Sequence, residues 1–415
     1  MHILLIHQAF AGLDEAGGTR HFEMACYLAN QGHQVTIISS PVSYLTGKPR
    51  GDKIPWVEKQ EVRPGITILR TYTYPALHRS FSHRILSFLS FMISSFFVGI
   101  GVKKVDLIWG TSPPLFQGFS AWLLAKIKRV PFVFEVRDLW PAFAIAIGVL
   151  KNPILIKASL WLERFLYQHA DCVIVNSPGF VEHVRQGGGR QIKLIPNGAD
   201  PAMFDPQSNG QSTRQHFGLE GKFLVLYAGA FGFSNDLGVV LQAADQLRSD
   251  ETIRLIFVGD GKEKPTLLAQ AKELNLENVV FIPPVPKTEM RSILAAADAC
   301  IAILKPIDLY KTTYPNKVFD YMAAGRPVVL AIDGVIKQLV ETAGAGLAVQ
   351  PGNSKALACA IRQLSANREL ARTMGLAGRS YVERFYNRTQ LSNELGLVLE
   401  DVRRNYGRKN PGSRR

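Results

Sequence analysis

Two doubly wound, parallel-sheet α/β domains are what this sequence predicts, and three observations carry that reading. Apolar strand-like runs alternate with helix-like stretches along the chain. The alternation breaks once, after Gly187-Gly-Gly189, and restarts near Pro196-Asn-Gly198. Each half also carries a glycine-bearing turn just after a strand and just before a helix. With 415 residues, 47% of them hydrophobic, the chain suits two or three domains with filled cores.

In the first half, Ile3 to His7 reads as a strand, Gly18 to Asn30 as a helix and Val35 to Ser39 as a second strand. Leu107 to Gly110 is a further strand, followed by a helix from about Leu115. Phe132 to Val136 is next, then a helix around Lys157 to His169 and a strand from Cys172 to Asn176. The interval from about Pro41 to His83, with Lys48-Pro-Arg-Gly51 and several aromatics, reads as irregular, either a mobile flap or a packed excursion. In the second half the strands are Phe223 to Tyr227, Ile253 to Val258, Val279 to Ile282, Ala299 to Ile303 and Pro327 to Ile332, with helices between them. Ligands of such sheets bind beyond the carboxyl ends of the strands.

Four scattered cysteines, Cys26, Cys172, Cys300 and Cys359, form no ligand or disulfide spacing, which fits a reducing cytoplasm. The opening His2-Ile-Leu-Leu-Ile6 lacks a basic flank and a cleavage site, and so reads as a strand rather than a secretion signal. The formal charge is +14, and Arg403-Arg404, Arg408-Lys409 and Arg414-Arg415 form a basic, disordered tail. No nucleic-acid motif accompanies it, so nucleic acid is not expected as a partner; an anionic membrane surface or plain solvation is. Between Ile85 and Val102 no residue is charged, with Arg79 and Arg84 before and Lys103 and Lys104 after. Spanning a bilayer takes about 20 apolar residues, and Ser87, Ser90 and Ser94 put a polar stripe on one face. A buried helix, an interfacial helix and a span are the three readings, and the chain is expected to be soluble or peripheral.

The stretch from Tyr314 to Leu330 holds the most chemistry. Pro315 suits a first helical turn, Gly325 a helix stop, and Val328 to Ile332 an interior strand. Lys317, Asp320 and Tyr321 then share one helix face. Beside a helix N-terminus, a cation and a carboxylate suit a diphosphate and a pair of sugar hydroxyls; an ordinary surface ion pair is the plain alternative. Gly17 and Gly18, and Gly259 and Gly261, open the two strand-to-helix turns, where backbone N–H groups could approach phosphate. A nicotinamide-dinucleotide enzyme is disfavoured, because Ala9 to Thr19 holds no G-x-G-x-x-G and the second strand ends in Ser39-Ser40-Pro41 without an acid. No D-x-D triplet and no histidine grouping occurs, so neither a metal nor a cofactor is expected.

The Tyr314 to Leu330 stretch resembles the donor segment of glycosyltransferase family 4, retaining enzymes of the GT-B fold. Gly17-Gly-Thr-Arg20 with Gly32-His-Gln-Val-Thr-Ile37 is similar to that family's opening, and Ile195-Pro-Asn-Gly-Ala-Asp200 to its entry into the second domain. Phe134-Glu-Val-Arg-Asp-Leu-Trp-Pro141 resembles bacterial O-antigen and exopolysaccharide transferases, some of which handle acetamido sugars. The resemblance implies two Rossmann-like domains facing across a cleft: an acceptor domain over 1–195 and a nucleotide-sugar domain over 196–379. A helix over 380–404 would cross back and a basic tail would occupy 405–415.

It also implies a donor site with Lys317 on the diphosphate, Asp320 on the ribose, and Gly17 and Gly18 on phosphate. Arg137 and Asp138 would line the acceptor side or form a structural ion pair. The implied partners are a nucleotide sugar, by subgroup likeness UDP linked to an N-acetylated hexosamine, and a glycan or polyprenyl-diphosphate-linked acceptor. The sequence departs from the family pattern in places. The first of two acidic positions falls on Thr312 and the second on Asp320, while the phosphate-binding cations fall on Ala230 and Asp236. Arg20, Lys305 and Lys311 are the replacement candidates by position, and Arg137 stands where histidine is usual. A sugar-nucleotide epimerase and a non-catalytic membrane-docked protein of the same fold are the competing readings.

Overall fold

The computed structural model describes residues 1–76, 79–208 and 210–409. Runs such as Ile3-Leu-Leu-Ile6 and Phe132-Val-Phe134 are buried throughout, as strands must be when helices cover both faces of a parallel sheet. Contacts divide the chain into two units. One comprises Met1–Ala11, Gly18–Pro196 and the chain from Thr389 onward; the other comprises Gly12–Gly17 and Asn197–Arg388.

The first unit has eight strands: β1 (His2–Ile6), β2 (Gln34–Ser39), β3 (Val57–Arg63), β4 (Ile66–Thr71), β5 (Leu107–Ser112), β6 (Phe132–Val136), β7 (Cys172–Val175) and β8 (Ile192–Leu194). Their order is β3-β4-β2-β1-β5-β6-β7-β8, parallel except for β3. The order reverses between β1 and β5, which marks the place where such sheets hold ligands. Its helices are α1 (Arg20–Asn30), α2 (Phe81–Gly101), α3 (Leu115–Lys128), the short α4 (Ala142–Ala146), α5 (Pro153–His169) and α6 (Val181–Gln186).

Part of the 41–83 interval is a packed excursion and not irregular, since it contains the β3–β4 hairpin, whose β4 joins the sheet beside β2. Every β3 residue is exposed, and its sequence Val-Glu-Lys-Gln-Glu-Val-Arg suits an edge that must not pair further. In α2 the serine stripe points inward. Ser87, Ser94 and Ser95 are buried, and the Ser94 hydroxyl donates to the Tyr72 carbonyl at 2.6 Å.

The second unit forms a six-stranded, all-parallel sheet from β9 (Phe223–Ala228), β10 (Ile253–Val258), β11 (Val279–Ile282), β12 (Ala299–Ile303), β13 (Val328–Ala331) and β14 (Gly346–Ala348). The order is β11-β10-β9-β12-β13-β14, with its reversal between β9 and β12. Helices α7 (Gln211–His216), α8 (Leu237–Gln246), α9 (Lys264–Glu273), α10 (Lys287–Ala296), α11 (Asn316–Ala323), α12 (Val335–Thr342), α13 (Ser354–Ala366) and α14 (Arg368–Phe385) connect and cover it. One hydrophobic cluster lies on each face of the sheet.

The return to the first unit comes later than residue 380. Helix α14 buries Ala371, Gly375, Gly378 and Val382 in the second unit, and the chain joins the first only within α15 (Arg388–Lys409), from Thr389 onward. Leu391, Leu395, Leu399 and Val402 of α15 are buried, Gly396 lies against Leu28, and Arg403 pairs with Asp106 at 2.6 Å. The expected tail over 405–415 is helical as far as Lys409; Arg414 and Arg415 lie outside the described residues.

Candidate active site

Helix α11 begins one residue after Pro315, which takes the N-cap position. It stops at Ala324, where Gly325 takes φ 68° and the Arg326 N–H reaches back to the Tyr321 carbonyl at 3.0 Å. Lys317 and Tyr321, one turn apart, both reach the carboxyl end of β9. The Tyr321 hydroxyl lies 2.9 Å from the Ala228 N–H and 3.1 Å from its carbonyl. The Lys317 ammonium sits 3.9 Å from the Tyr227 ring centroid, is fully enclosed, and has no hydrogen-bond partner among the described residues. Burial pushes its pKa down from 10.5 to about 7. An unpaired buried ammonium costs stability, and an anion placed beyond this strand end would supply the charge it lacks.

Asp320 does not pair with Lys317. Its carboxylate meets Lys287, at the start of α10, at 2.5 Å, with the Asn316 amide 3.4 Å away. The two charges of the motif are therefore separate devices rather than an ordinary surface pair. Arg388, buried, braces the start of α11 by donating to Asn316 Oδ1 at 3.1 Å and to the Gly198 carbonyl.

The glycines of the β10 turn serve another purpose than the expected one. A Cβ on Gly259 would fall 1.9 Å from the Gly229 carbonyl oxygen, and one on Gly261 2.5 Å from that of Phe231. The β9 and β10 turns thus pack backbone to backbone, joined by Phe231 N–H to the Asp260 carbonyl at 2.8 Å. The N–H groups expected to face phosphate are used internally, by the Ile282 carbonyl for Gly259 and by Asp260 Oδ1 for Gly261. Thr312 likewise turns its hydroxyl to the Leu309 carbonyl at 2.6 Å. Among the replacement cations, Lys311 pairs with Asp308, and Lys305 sits over the Phe233 ring with its backbone N–H on Ser234. Lys305 thereby reaches the β9–α8 turn where the missing cations would stand.

In the first unit, Arg20 is engaged by the protein itself. It is buried in an ion pair with Glu135 at 2.7 Å, with a second arm on the Ile195 carbonyl at 2.6 Å. His21 contacts the other Glu135 oxygen at 2.7 Å. Burial alone would raise the Glu135 carboxyl, but Arg20 and His21 prevail and hold it below the usual carboxylate range. His21 is lowered by burial to about 4, against the pull of Glu135. Gly17 and Gly18 are exposed; Gly17 takes φ 155°, whereas a Cβ on Gly18 would meet open space. They fall in different units, Gly17 in the second and Gly18 in the first.

Arg137, half-buried past the end of β6, donates to the carbonyls of Ser112 (3.1 Å) and Pro113 (3.2 Å) and lies 3.4 Å from His7 Nε2. Asp138 is exposed, and Arg137 does not hydrogen-bond to it. His7 itself is buried against Thr111, and burial followed by Arg137 pushes its pKa far down, so it is neutral. Among the described residues no three His, Cys, Asp or Glu side chains are grouped to hold a metal ion. Sequence reasoning passed over Glu135, His7, Tyr227 and Lys287. A lone acid inside an apolar strand was a readable signal for Glu135, since such a group is buried only with partners.

The family models settle the class of the molecule. Residues 16–198 match the "Glycosyl transferase 4-like domain" and residues 222–367 match "Glycosyl transferases group 1". The chain is a family 4 glycosyltransferase.

Among relatives of this transferase, the Escherichia coli K12 protein named for colanic acid biosynthesis, WcaI, is 27% identical over 92% of the chain and 94% of its own length. In fold, the transferase is similar to sucrose-phosphate synthase from Thermosynechococcus elongatus, with a TM-score of 0.79, 22% identity, and 97% and 98% of the two chains covered. It is also similar to Anabaena HepE in complex with UDP-glucose, at a TM-score of 0.70, 18% identity and 97% and 100% coverage. The GT-B class, with two Rossmann-like domains, is thereby confirmed.

Proposed function

We propose that this transferase moves a sugar from a UDP-linked donor to a hydroxyl of a glycan or polyprenyl-diphosphate-linked glycan, with retention, in bacterial surface polysaccharide assembly. The observation that carries the donor site is Lys317, an enclosed and unpartnered cation at the carboxyl end of β9. A diphosphate supplies the charge it lacks. Asp320, oriented by Lys287, takes the ribose hydroxyls. Arg137 and Asp138 belong to the acceptor side, with Arg137 fixing the loop through the Ser112 and Pro113 carbonyls. The names of WcaI and of the Escherichia coli O-antigen chain mannosyltransferase C, 25% identical over 54% of the chain, support the polysaccharide setting. The UDP-glucose complex of HepE supports the donor class.

In the reaction, the acceptor oxygen bonds to the anomeric carbon as the bond from that carbon to the diphosphate oxygen breaks. The electron pair leaves with the nucleotide diphosphate, whose phosphate takes the acceptor proton on the same face. Lys317 stabilises the departing charge. The test is calorimetric titration with UDP, GDP and their sugars, N-acetylated hexosamines first, on wild type and Lys317→Ala. Selective binding of one nucleotide, lost in the variant, is expected; equal affinity in both proteins would remove Lys317 from the site. Release of free nucleotide diphosphate only when acceptor is present then separates transfer from epimerisation.

A further inference from the structure

Helices α2, α3 and α5 lie side by side in the first unit, and their outer surface is the reverse of an ordinary soluble face. Along α2, Ser87, Ser94 and Ser95 are inside while Leu86, Ile93, Phe97 and Ile100 are exposed, spaced by seven, four and three residues so that they form one stripe. On α5, Ile154 and Trp161 are 74% and 61% exposed. The three helices contain a single carboxylate, Glu163, and it is buried against Tyr167 and His183. Lys126, Lys157 and Arg164 are exposed on them, and Lys103, Lys104 and Arg129 follow directly at the ends of α2 and α3.

We propose that this layer docks the enzyme on the surface of an anionic phospholipid bilayer, with α2 and α5 lying in the plane of the interface. The occupant follows from charge: an apolar stripe on helices that expose cations and no acids complements acidic headgroups over acyl chains. Trp161 and the long cationic side chains suit the headgroup level. A span is a poor fit, although Ser82–Gly101 is long and apolar enough for one. A third of that window is buried inside the protein, and Ser94 and Ser120 tie α2 to the β4 end and to α3. The inference is independent of the donor site, since no residue of the layer belongs to it.

The full chain is tested by sedimentation with vesicles of phosphatidylcholine alone and of phosphatidylcholine with about 30% phosphatidylglycerol. Binding to the anionic vesicles only, weakened by salt, is expected. The exposed double variant Ile93→Glu/Phe97→Glu should reduce that partition by about tenfold or more while keeping the wild-type unfolding temperature. Lys157→Glu/Arg164→Glu should weaken it less, and truncation after Lys409 should leave it intact. The proposal is overturned if wild type ignores anionic vesicles, if the double variant binds like wild type, or if the truncation abolishes binding. A lipid-free dimer that the double variant dissociates would also overturn it, by making the layer a self-association face.

Discussion

Arg20 and Lys317 are both buried cations at the carboxyl end of a parallel sheet, yet they have opposite relations to their surroundings. Arg20 is matched by Glu135 and the Ile195 carbonyl, whereas Lys317 has an aromatic ring and no acceptor. A cation whose counter-charge is built into the fold serves the scaffold; one whose counter-charge is missing is, on the reading proposed above, completed by the donor diphosphate. Position along the chain does not make this distinction, since both residues fall in segments that resemble the family's ligand-binding motifs.

Removing the built-in partner should have the largest effect. Glu135→Ala leaves Arg20 buried and uncompensated, and is expected to cost about 3–5 kcal/mol of unfolding free energy in urea titration. A loss within error of zero would dissolve the contrast between the two cations. The same cluster sets an acid limit. Folded His21 titrates at about 4 against 6.5 ordinarily, so the unfolded chain binds more protons between those values and stability falls as pH drops through that window. The lowered Glu135 carboxyl extends the loss to more acid pH. Denaturation midpoints followed downward from neutral pH should show this decline.

For Lys317 the sign reverses. Lys317→Met should abolish nucleotide binding yet stabilise the ligand-free protein by about 1–3 kcal/mol, because an unpartnered buried ammonium is removed. Destabilisation in the same unfolding assay would mean that the cation has a structural partner after all. Binding should also take up a proton. With the free lysine at about 7 and a diphosphate raising it, affinity is full below that value and falls as pH rises above it, by up to about tenfold per unit. Calorimetry at pH 8 in buffers of differing ionisation enthalpy reads the uptake directly, and a buffer-independent enthalpy would reject it. The smallest effect is assigned to Lys287→Ala, which frees Asp320 and should weaken ribonucleotide binding by roughly three- to tenfold while sparing the 2′-deoxy analogue. Equal losses for both sugars would detach Lys287 from ribose recognition.

Sequence reasoning reached the sheets more fully than the sites. Phe132 to Val136, Ile253 to Val258, Val279 to Ile282 and Ala299 to Ile303 match their strands end to end, because each is a local apolar run, whether buried on both faces as in β6 and β12 or half-buried at the sheet edge as in β11. The β3 strand was missed for the opposite reason, since with every residue exposed it has no apolar periodicity to read. β8 and β14 are each three residues long and leave no pattern. The helix that holds Lys317 and Asp320 was legible because it carries its own start and stop. Their partners were not, because Lys287 reaches Asp320 from another helix and Tyr227 reaches Lys317 from another strand. Pairings of this kind exist only after folding. The turn glycines misled for a related reason, since a requirement for no Cβ looks the same whether a phosphate or a neighbouring backbone approaches.

The late return of α15 bears on how the chain matures on the ribosome. Its leucines complete the packing of a unit whose strands were all synthesised before residue 197. Apart from the Gly12–Gly17 loop, the second unit is continuous, and it can close as soon as Arg388 has emerged. The last segment of the second unit therefore leaves the ribosome before the last segment of the first. Until α15 has been made, the side of α1 at Leu28 that meets Gly396 lacks that cover, which gives a nascent-chain chaperone an apolar surface to hold.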